Sequence, residues 1–202
     1  MTVPTGGRPV PFSQIRDDVA EVLGHVVYAT MTTVDRRGRP RSRVLIVVWE
    51  LDGPRPTGWL ATFKTPVKAA HLAHNPHVTT SYWSPRQDAV YLDSVATWTD
   101  DADTAERVWQ RYRQGSPPGV GYDPAAYWSG PDDPDFHVLR LHPWRVQVLR
   151  ARDVARGDLS GRIWRPDRGT AEPGDDEDQR GREPWTPWHD GIGQGLVDDA
   201  VP

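Results

Sequence analysis

Only two of the chain's 24 basic residues are lysines, Lys64 and Lys68, and they lie four positions apart; the other 22 are arginines. Arginine presents a flat fork of donors, whereas lysine is a compact charge on a thin stem. A chain that otherwise uses arginine and keeps lysine twice in one turn therefore points to a need for an ammonium at that place. The surrounding stretch is WLATFKTPVKAAHLAHNP, residues 59–76. Trp59 to Thr62 reads as a short apolar strand. Thr65 supplies an N-cap oxygen, Pro66 suits the first helical position, and Val67 to Ala73 is expected to be a helix stopped by Asn75-Pro76. A strand feeding a capped helix start aims free backbone N–H groups and the positive end of the dipole at one spot. Lys64 stands just before that spot and Lys68 one turn inside it, so both can reach one anion. A phosphate is the expected anion; the plainer alternative is a surface helix with two solvated lysines.

A second basic pair, Arg41 and Arg43, flanks Ser42 in a stretch that reads as a strand. Alternate strand residues share a face, so the two arginines project together with Ser42 opposite. Like charges side by side repel unless an anion or acidic partner lies between them; the plainer alternative is two arginines at a solvent-facing strand end. Other patterns carry less. RGRP at 37–40 resembles a minor-groove hook, but it is pinned between two strands, and no nucleic-acid partner is expected. His71, His74 and His77 are split by Pro76 and lack a nearby carboxylate, so no metal site is expected and the first two read as helix surface. There is no Ser-His-Asp elbow, Gly-rich phosphate loop or paired-carboxylate signature. An enzyme without its own acid–base groups relies on a cofactor for the chemistry.

The 202 residues suffice for one domain with a sizeable core and an appendage. Cysteine is absent, which excludes disulfides, thiolate metal sites and a cysteine nucleophile. No signal sequence or apolar run of the roughly 18 residues needed for a membrane span is visible, so a cytoplasmic protein with no membrane partner is expected. Residues 151–202 hold 7 Arg against 12 acidic residues, while residues 1–150 hold 17 basic against 16 acidic. The body is close to neutral and the extension acidic.

The elements that must position these residues follow in order. Residues 1–12 are expected to be a flexible N-terminus, 13–150 a folded domain and 151–202 an acidic, Trp-containing extension. Ser13 is expected to cap a helix to Leu23, stopped by Gly24. His25 to Val34 and Arg39 to Leu51 read as strands joined by a turn over Asp35 to Gly38. His77 to Ser84 and Ala89 to Thr99 read as another hairpin. Asp100 or Asp101 caps a helix to about Tyr112, with Ala105, Val108, Trp109 and Tyr112 inward. Residues 115–134 read as loop with one helical turn near Pro124. Phe136 to Leu141 and Arg145 to Leu149 are expected to be two strands separated by His142-Pro-Trp144. Beyond Arg150 the polar composition argues against independent folding. Trp164, Trp185 and Trp188 argue that it drapes over the body or a partner, and its acidic charge that it covers the basic mouth as a lid; the plainer alternative is a disordered tail that affects only solubility. Strands outnumber helices and most joins are hairpins. The expected fold is mainly β (α+β): a six- to seven-stranded antiparallel sheet curled into a β-barrel with two or three peripheral helices.

An N-terminal helix followed by ATMTTVDRRGRPRSRVL, GWLATFKTPVKAAHLAHNPHVTTSYW, VYLDSVATWTDD and FHVLRLHPWRVQVL resembles the pyridoxamine 5′-phosphate oxidase-like split barrels. The likeness is nearest to their general stress protein and flavin/deazaflavin oxidoreductase branch, and it spans about residues 13–150. It makes the expected barrel a six- to seven-stranded antiparallel split β-barrel. It also implies a homodimer with cofactor at the interface, binding FMN or, as the alternative, the deazaflavin F420; a few members hold haem. It maps phosphate contacts onto Lys64, Thr65 and Lys68, and ring and phosphate contacts onto Arg41, Ser42, Arg43, Val44 and Thr62. Trp83, Gln87 and Trp144 are further candidates, reaching across from the second subunit. The implied activity is hydride transfer with a small organic substrate, and the alternative is a non-catalytic flavin-binding stress protein. The C-terminal substrate-binding Arg and His pattern of true pyridoxamine phosphate oxidases is not found, so vitamin B6 oxidation is not expected.

Overall fold

The computed structural model describes residues 7–114 and 122–166. In chain order it contains β1 (Arg8–Pro9), a 3-10 turn (Phe12–Gln14), α1 (Arg16–Val26), β2 (Tyr28–Val34), β3 (Pro40–Ile46), β4 (Val48–Glu50), β5 (Thr57–Thr62) and α2 (Pro66–His74). There follow β6 (His77–Trp83), β7 (Ala89–Thr99), α3 (Ala102–Arg113), a 3-10 turn (Pro124–Ala126), β8 (His137–Leu149), α4 (Ala151–Val154) and β9 (Arg162–Trp164). Among these helices none is long and apolar enough to cross a membrane.

The strands close into a barrel because β3 and β4 are one bent strand broken only at Val47. β3 pairs with β2, β2 with β6, β6 with β7, β7 with β8, β8 with β5, and β5 with β4. Every pair in this ring is antiparallel, which gives a six-stranded barrel, within the six to seven strands expected from the hairpins. β9 extends the sheet on the C-terminal half of β8, and β1 adds to it in parallel. The β2–β3 turn forms as read: Gly38 takes φ 74°, and the Asp35 carboxylate accepts from the Arg37 and Arg39 amides.

Two cores follow from strand alternation. Ala29, Met31, Leu60, Leu92, Leu139, Leu141 and Val146 fill the barrel, capped by Ile15 just before α1 and by Val19 and Val22 within it. Trp59, Ala61 and Val138 face the other way, onto Val108, Trp109 and Tyr112 of α3. β5 is thus buried on both faces, which explains its unbroken apolar run. Gly58 is needed there: a Cβ would meet the Trp49 ring at 2.8 Å. Of the two candidate caps, Asp100 and Asp101, it is Asp101 that caps α3, accepting from the Thr104 amide.

Three expectations need correction. Ser13 caps nothing; it lies in the 3-10 turn, and α1 starts after Ile15 with Asp17 and Asp18 favourably placed in its first turn. Gly24 does not stop α1, which continues to Val26; Val27 takes the left-handed turn instead, at φ 63°. Burial of Val27 in the second core offsets that backbone strain. Finally, His142-Pro-Trp144 does not interrupt β8. The register shifts where Ser94 pairs with Pro143 and Asp93 with Arg145, leaving Trp144 as the extra residue of a bulge. A bulge is one of the few sheet positions that accept proline.

Residues 151–166 also pack. Trp164 is buried against Phe12, their rings 5.3 Å apart. Arg150, Arg152 and Arg162 converge on Asp18 of α1. Burial would raise the Asp18 carboxyl, but the Arg162 hydrogen bond and the three guanidinium charges outweigh it, and its pKa falls below 3.8. A carboxylate depressed in the folded state stabilises above its unfolded pKa, and that contribution is lost as pH falls through the folded value. Stability measured by urea unfolding is therefore expected to be flat from pH 7 to about 5 and to drop below about pH 4. Asp18→Asn should blunt the drop; an equally steep fall in that variant would show that other carboxylates govern it.

Candidate functional site

The start of α2 is built as its sequence dictates. Thr65 is the N-cap, in extended conformation, and accepts from the Lys68 amide; Pro66 is the first helical residue. The Lys68 side chain folds back rather than out. Its Nζ donates to the Thr62 hydroxyl at the end of β5 and, at 3.0 Å, to the Phe63 carbonyl. The ammonium stem is thereby buried, with the residue only 8 % exposed. Burial, and secondarily the charge of Arg43, lowers the Lys68 pKa from 10.5 to about 8.

Arg43 reaches the same place from β3. It pairs across the ladder with Met31, on the barrel-facing side, and its Nη1 and Nη2 both donate to the Thr33 hydroxyl at 2.9 Å. Thr33 Oγ1 lies 2.9 Å from His71 Nδ1 of α2. Burial, with Arg41 nearby, lowers the Arg43 pKa. Among the described residues, Arg41, Arg43, Lys64 and Lys68 have no carboxylate at ion-pair distance. Positive charge gathered around a helix start without a counter-ion among the described residues has the electrostatics of an anion site.

The residues singled out from the sequence divide into two groups. Arg41 and Arg43 share one face of β3, and Arg43 stands with Thr62, Thr65 and Lys68 around the start of α2. Lys64 lies beside them but turns its ammonium 5.1 Å over the Trp98 ring, so the two lysines do not converge. Ser42 and Val44 face the opposite way. Ser42 Oγ is 2.8 Å from the Thr32 hydroxyl, and Val44 is 68 % exposed. The register puts Tyr28 and Trp83 on that outer face too, at 55 % and 58 % exposed. Trp83 ends β6 four residues beyond Thr79, the partner of Thr32, so it lies roughly 13 Å farther along the barrel. Gln87 is beyond it in the β6–β7 turn, at φ 67°. Trp144, carried by the bulge, meets the edge of His77 at 6.4 Å and keeps its indole N–H buried without a partner among the described residues. Within one chain, then, Trp83, Gln87 and Trp144 are not brought to the α2 start.

Two participants were misread or missed. His71 is buried on β2, not part of the helix surface. Thr33 was not singled out, although alternation of Ala29, Met31 and Thr33 places a hydroxyl on an otherwise apolar core face. The last two tryptophans, Trp185 and Trp188, lie outside the described residues, as does most of the acidic segment offered as a lid. The described chain ends at Pro166, just past β9. β9 pairs with Val146 to Val148, roughly 30 Å along β8 from His137, which is the partner of Thr62. A groove of about 920 Å³ beside β9, lined by Phe12, Arg16, Ile163 and Trp164 among others, contains none of the residues of the α2 site.

A closed six-stranded barrel carrying a cationic helix start beside its second and third strands defines a split-barrel protein. The pyridoxamine 5′-phosphate oxidase family profile matches residues 15–150, and the chain belongs to that family. Among solved structures it is similar to a Clostridium acetobutylicum protein related to general stress protein 26 of B. subtilis. That match has 16% identity and a TM-score of 0.58, covering 75% of this chain and 94% of the other. A putative pyridoxamine 5′-phosphate oxidase from Listeria innocua matches at 20% identity and TM-score 0.52, covering 67% and 98%. A pyridoxamine 5′-phosphate oxidase-related, FMN-binding protein from Nostoc punctiforme matches at 22% identity and TM-score 0.52, covering 68% and 84%. No curated protein matches the chain.

Proposed function

We propose that this protein is an FMN-binding oxidoreductase that acts as a homodimer on a small organic molecule. The observation that carries the reading is the cationic cluster around Thr65, uncompensated among the described residues, with Lys68 buried and Arg43 half-buried beside it. The residues present fit a phosphate monoester: a capped helix start, an ammonium and a guanidinium, with no carboxylate among the described residues at ion-pair distance to repel it. Lys68, Arg43 and the first amides of α2 would hold the phosphate of FMN, with Thr62 fixing the lysine. Bound FMN supplies the hydride chemistry. The chain's own part is to anchor, orient and exclude water, and no side chain is assigned a proton-transfer role.

The outer face supports the dimer. Tyr28, Val44 and Trp83 put large apolar side chains on one strand surface, which in a lone protomer faces water. Pairing two copies on this face would cover it. Trp83, Gln87 and Trp144 of one copy would then border the cofactor held by the other, and Ser42 and Val44 would lie under its ring. The Nostoc relative, described as FMN-binding, agrees with this choice of cofactor.

Titration of the purified apo-protein with FMN, riboflavin and F420, followed by absorbance and fluorescence, tests the reading, with light scattering for mass. FMN is expected to bind at least tenfold more tightly than riboflavin, because charge-assisted contacts to phosphate contribute ~1.5–3 kcal/mol each. The mass is expected to be that of a dimer. Binding of F420 in preference to FMN would reassign the cofactor, and a colourless protein that takes up none of the three would remove the proposal. Turnover of FMN with a reduced nicotinamide separates an oxidoreductase from a flavin-storing protein.

A further inference from the structure

We infer that Thr33 is a positioning residue: its buried hydroxyl, shared by Arg43 and His71, locks the two halves of the anion site together. The inference deepens the proposal of a phosphate-holding site and rests on it for its effect on ligand. Arg43 belongs to β3 and His71 to α2, and β2 runs between them with Thr33 fully buried at the crossing.

Proton bookkeeping decides the direction of each bond. A guanidinium can only donate, and both Arg43 nitrogens aim at Thr33 Oγ1. The threonine oxygen has two lone pairs, and these two donors engage them. Its single hydrogen is left for the third neighbour, His71 Nδ1, 2.9 Å away. His71 must then accept at Nδ1 and carry its proton on Nε2. The chain of bonds therefore runs one way, from Arg43 through Thr33 to His71, and each member has one permitted orientation.

The arrangement matters because Arg43 has no other described hydrogen bond or ion pair to hold it. Without Thr33 a half-buried guanidinium beside Lys68 would swing away from that like charge and towards water. With Thr33 in place its fork stays next to Lys68, so that two cations wait for an anion in a fixed geometry. The ordering cost is met in folding, not in binding. His71 adds a second function. By accepting from Thr33 it ties the α2 helix, and hence Thr65 and Lys68, to the strand that positions Arg43.

Thr33→Val keeps the shape and removes the hydroxyl, while Thr33→Ser keeps the hydroxyl. Dissociation constants for FMN and riboflavin are measured on both, alongside thermal unfolding. Losing one charged hydrogen-bond arrangement should weaken FMN binding by about threefold to tenfold in Thr33→Val. Riboflavin affinity should hold, and Thr33→Ser should behave like the wild type. A folded Thr33→Val with an unchanged FMN-to-riboflavin ratio overturns the inference, as does an equal loss for both ligands. A second measurement needs no variant: nitrogen-15 NMR of the His71 ring in the wild-type protein. The Nε2–H tautomer is expected, and an Nδ1–H tautomer overturns the relay even if Thr33→Val fails to fold. If FMN does not bind the wild type at all, the cofactor assignment fails, while the His71 tautomer still decides the relay.

Discussion

Lys68→Ala is expected to cost more FMN affinity than any other single substitution at the α2 start. The ammonium is already desolvated, its stem is buried, and Thr62 and the Phe63 carbonyl hold it in place. A charged contact of this kind contributes ~1.5–3 kcal/mol, so FMN should bind roughly ten- to a hundred-fold more weakly. Riboflavin, which lacks the phosphate, should change little. Isothermal titration of both ligands checks this, and equal losses would show that Lys68 does not touch the phosphate. pH supplies a second axis. With a pKa of about 8, Lys68 carries its charge at neutral pH and loses it as pH rises further. The preference for FMN over riboflavin should therefore decline above about pH 8 in the wild type and be flat there in Lys68→Ala. Bound phosphate favours the charged lysine, so the decline should shift upward at saturating FMN.

Arg150→Met is expected to be the most destabilising single change outside the site. Arg150 is buried, with Nη2 2.8 Å from Glu21 Oε2 and Nη1 donating to the Asp18 carbonyl. Its Nε is 3.3 Å from Asp88 Oδ1 but not aligned for a hydrogen bond, so that contact is one of charge alone. Removing the arginine leaves the buried Asp88 carboxylate without its cation, held among the described residues only by the Ala151 amide, and leaves Asp18 to Arg152 and Arg162. Breaking a buried ion pair costs about 3–5 kcal/mol, and the remaining arginines put the expectation at the lower end. The corresponding fall in Tm is on the order of 10 °C for a protein of this size. Differential scanning calorimetry checks it; a change below about 2 °C would mean that the network is dispensable.

Local chemistry was legible where one short segment decides the outcome. Thr65-Pro66 announced α2, Asp100-Asp101 announced α3, and Asp35 to Gly38 announced a hairpin, because caps and turns are written within four residues. The alternation of β2 and β3 correctly separated Arg41 and Arg43 from Ser42. Decisions that depend on distant partners were not legible. Gly24 reads as a stop, yet α1 continues because Val27 has a core to enter. Pro143 reads as a break, yet a bulge against Asp93 and Ser94 absorbs it. His71 reads as surface because nothing within its helix reveals Thr33, 38 residues earlier. Arg150 finds Asp18 across 132 residues of chain. The site followed the same rule. Its helix start was readable in the sequence, whereas the hydroxyl that joins its two halves showed only as a polar residue on a core face.

The pairing of β1 with β9 has a mechanical consequence. The two strands are parallel, with Arg8 donating to the Gly161 carbonyl and Val10 to that of Ile163, both at 2.9 Å. Tension entering ahead of Arg8 and leaving after Ile163 would pull these strands lengthwise past each other. Both hydrogen bonds then carry the load together instead of opening one after the other. The Phe12–Trp164 ring contact beside them resists the same slip. The barrel, which begins only at Tyr28, is thus shielded from stretching by a small shear joint that must yield first.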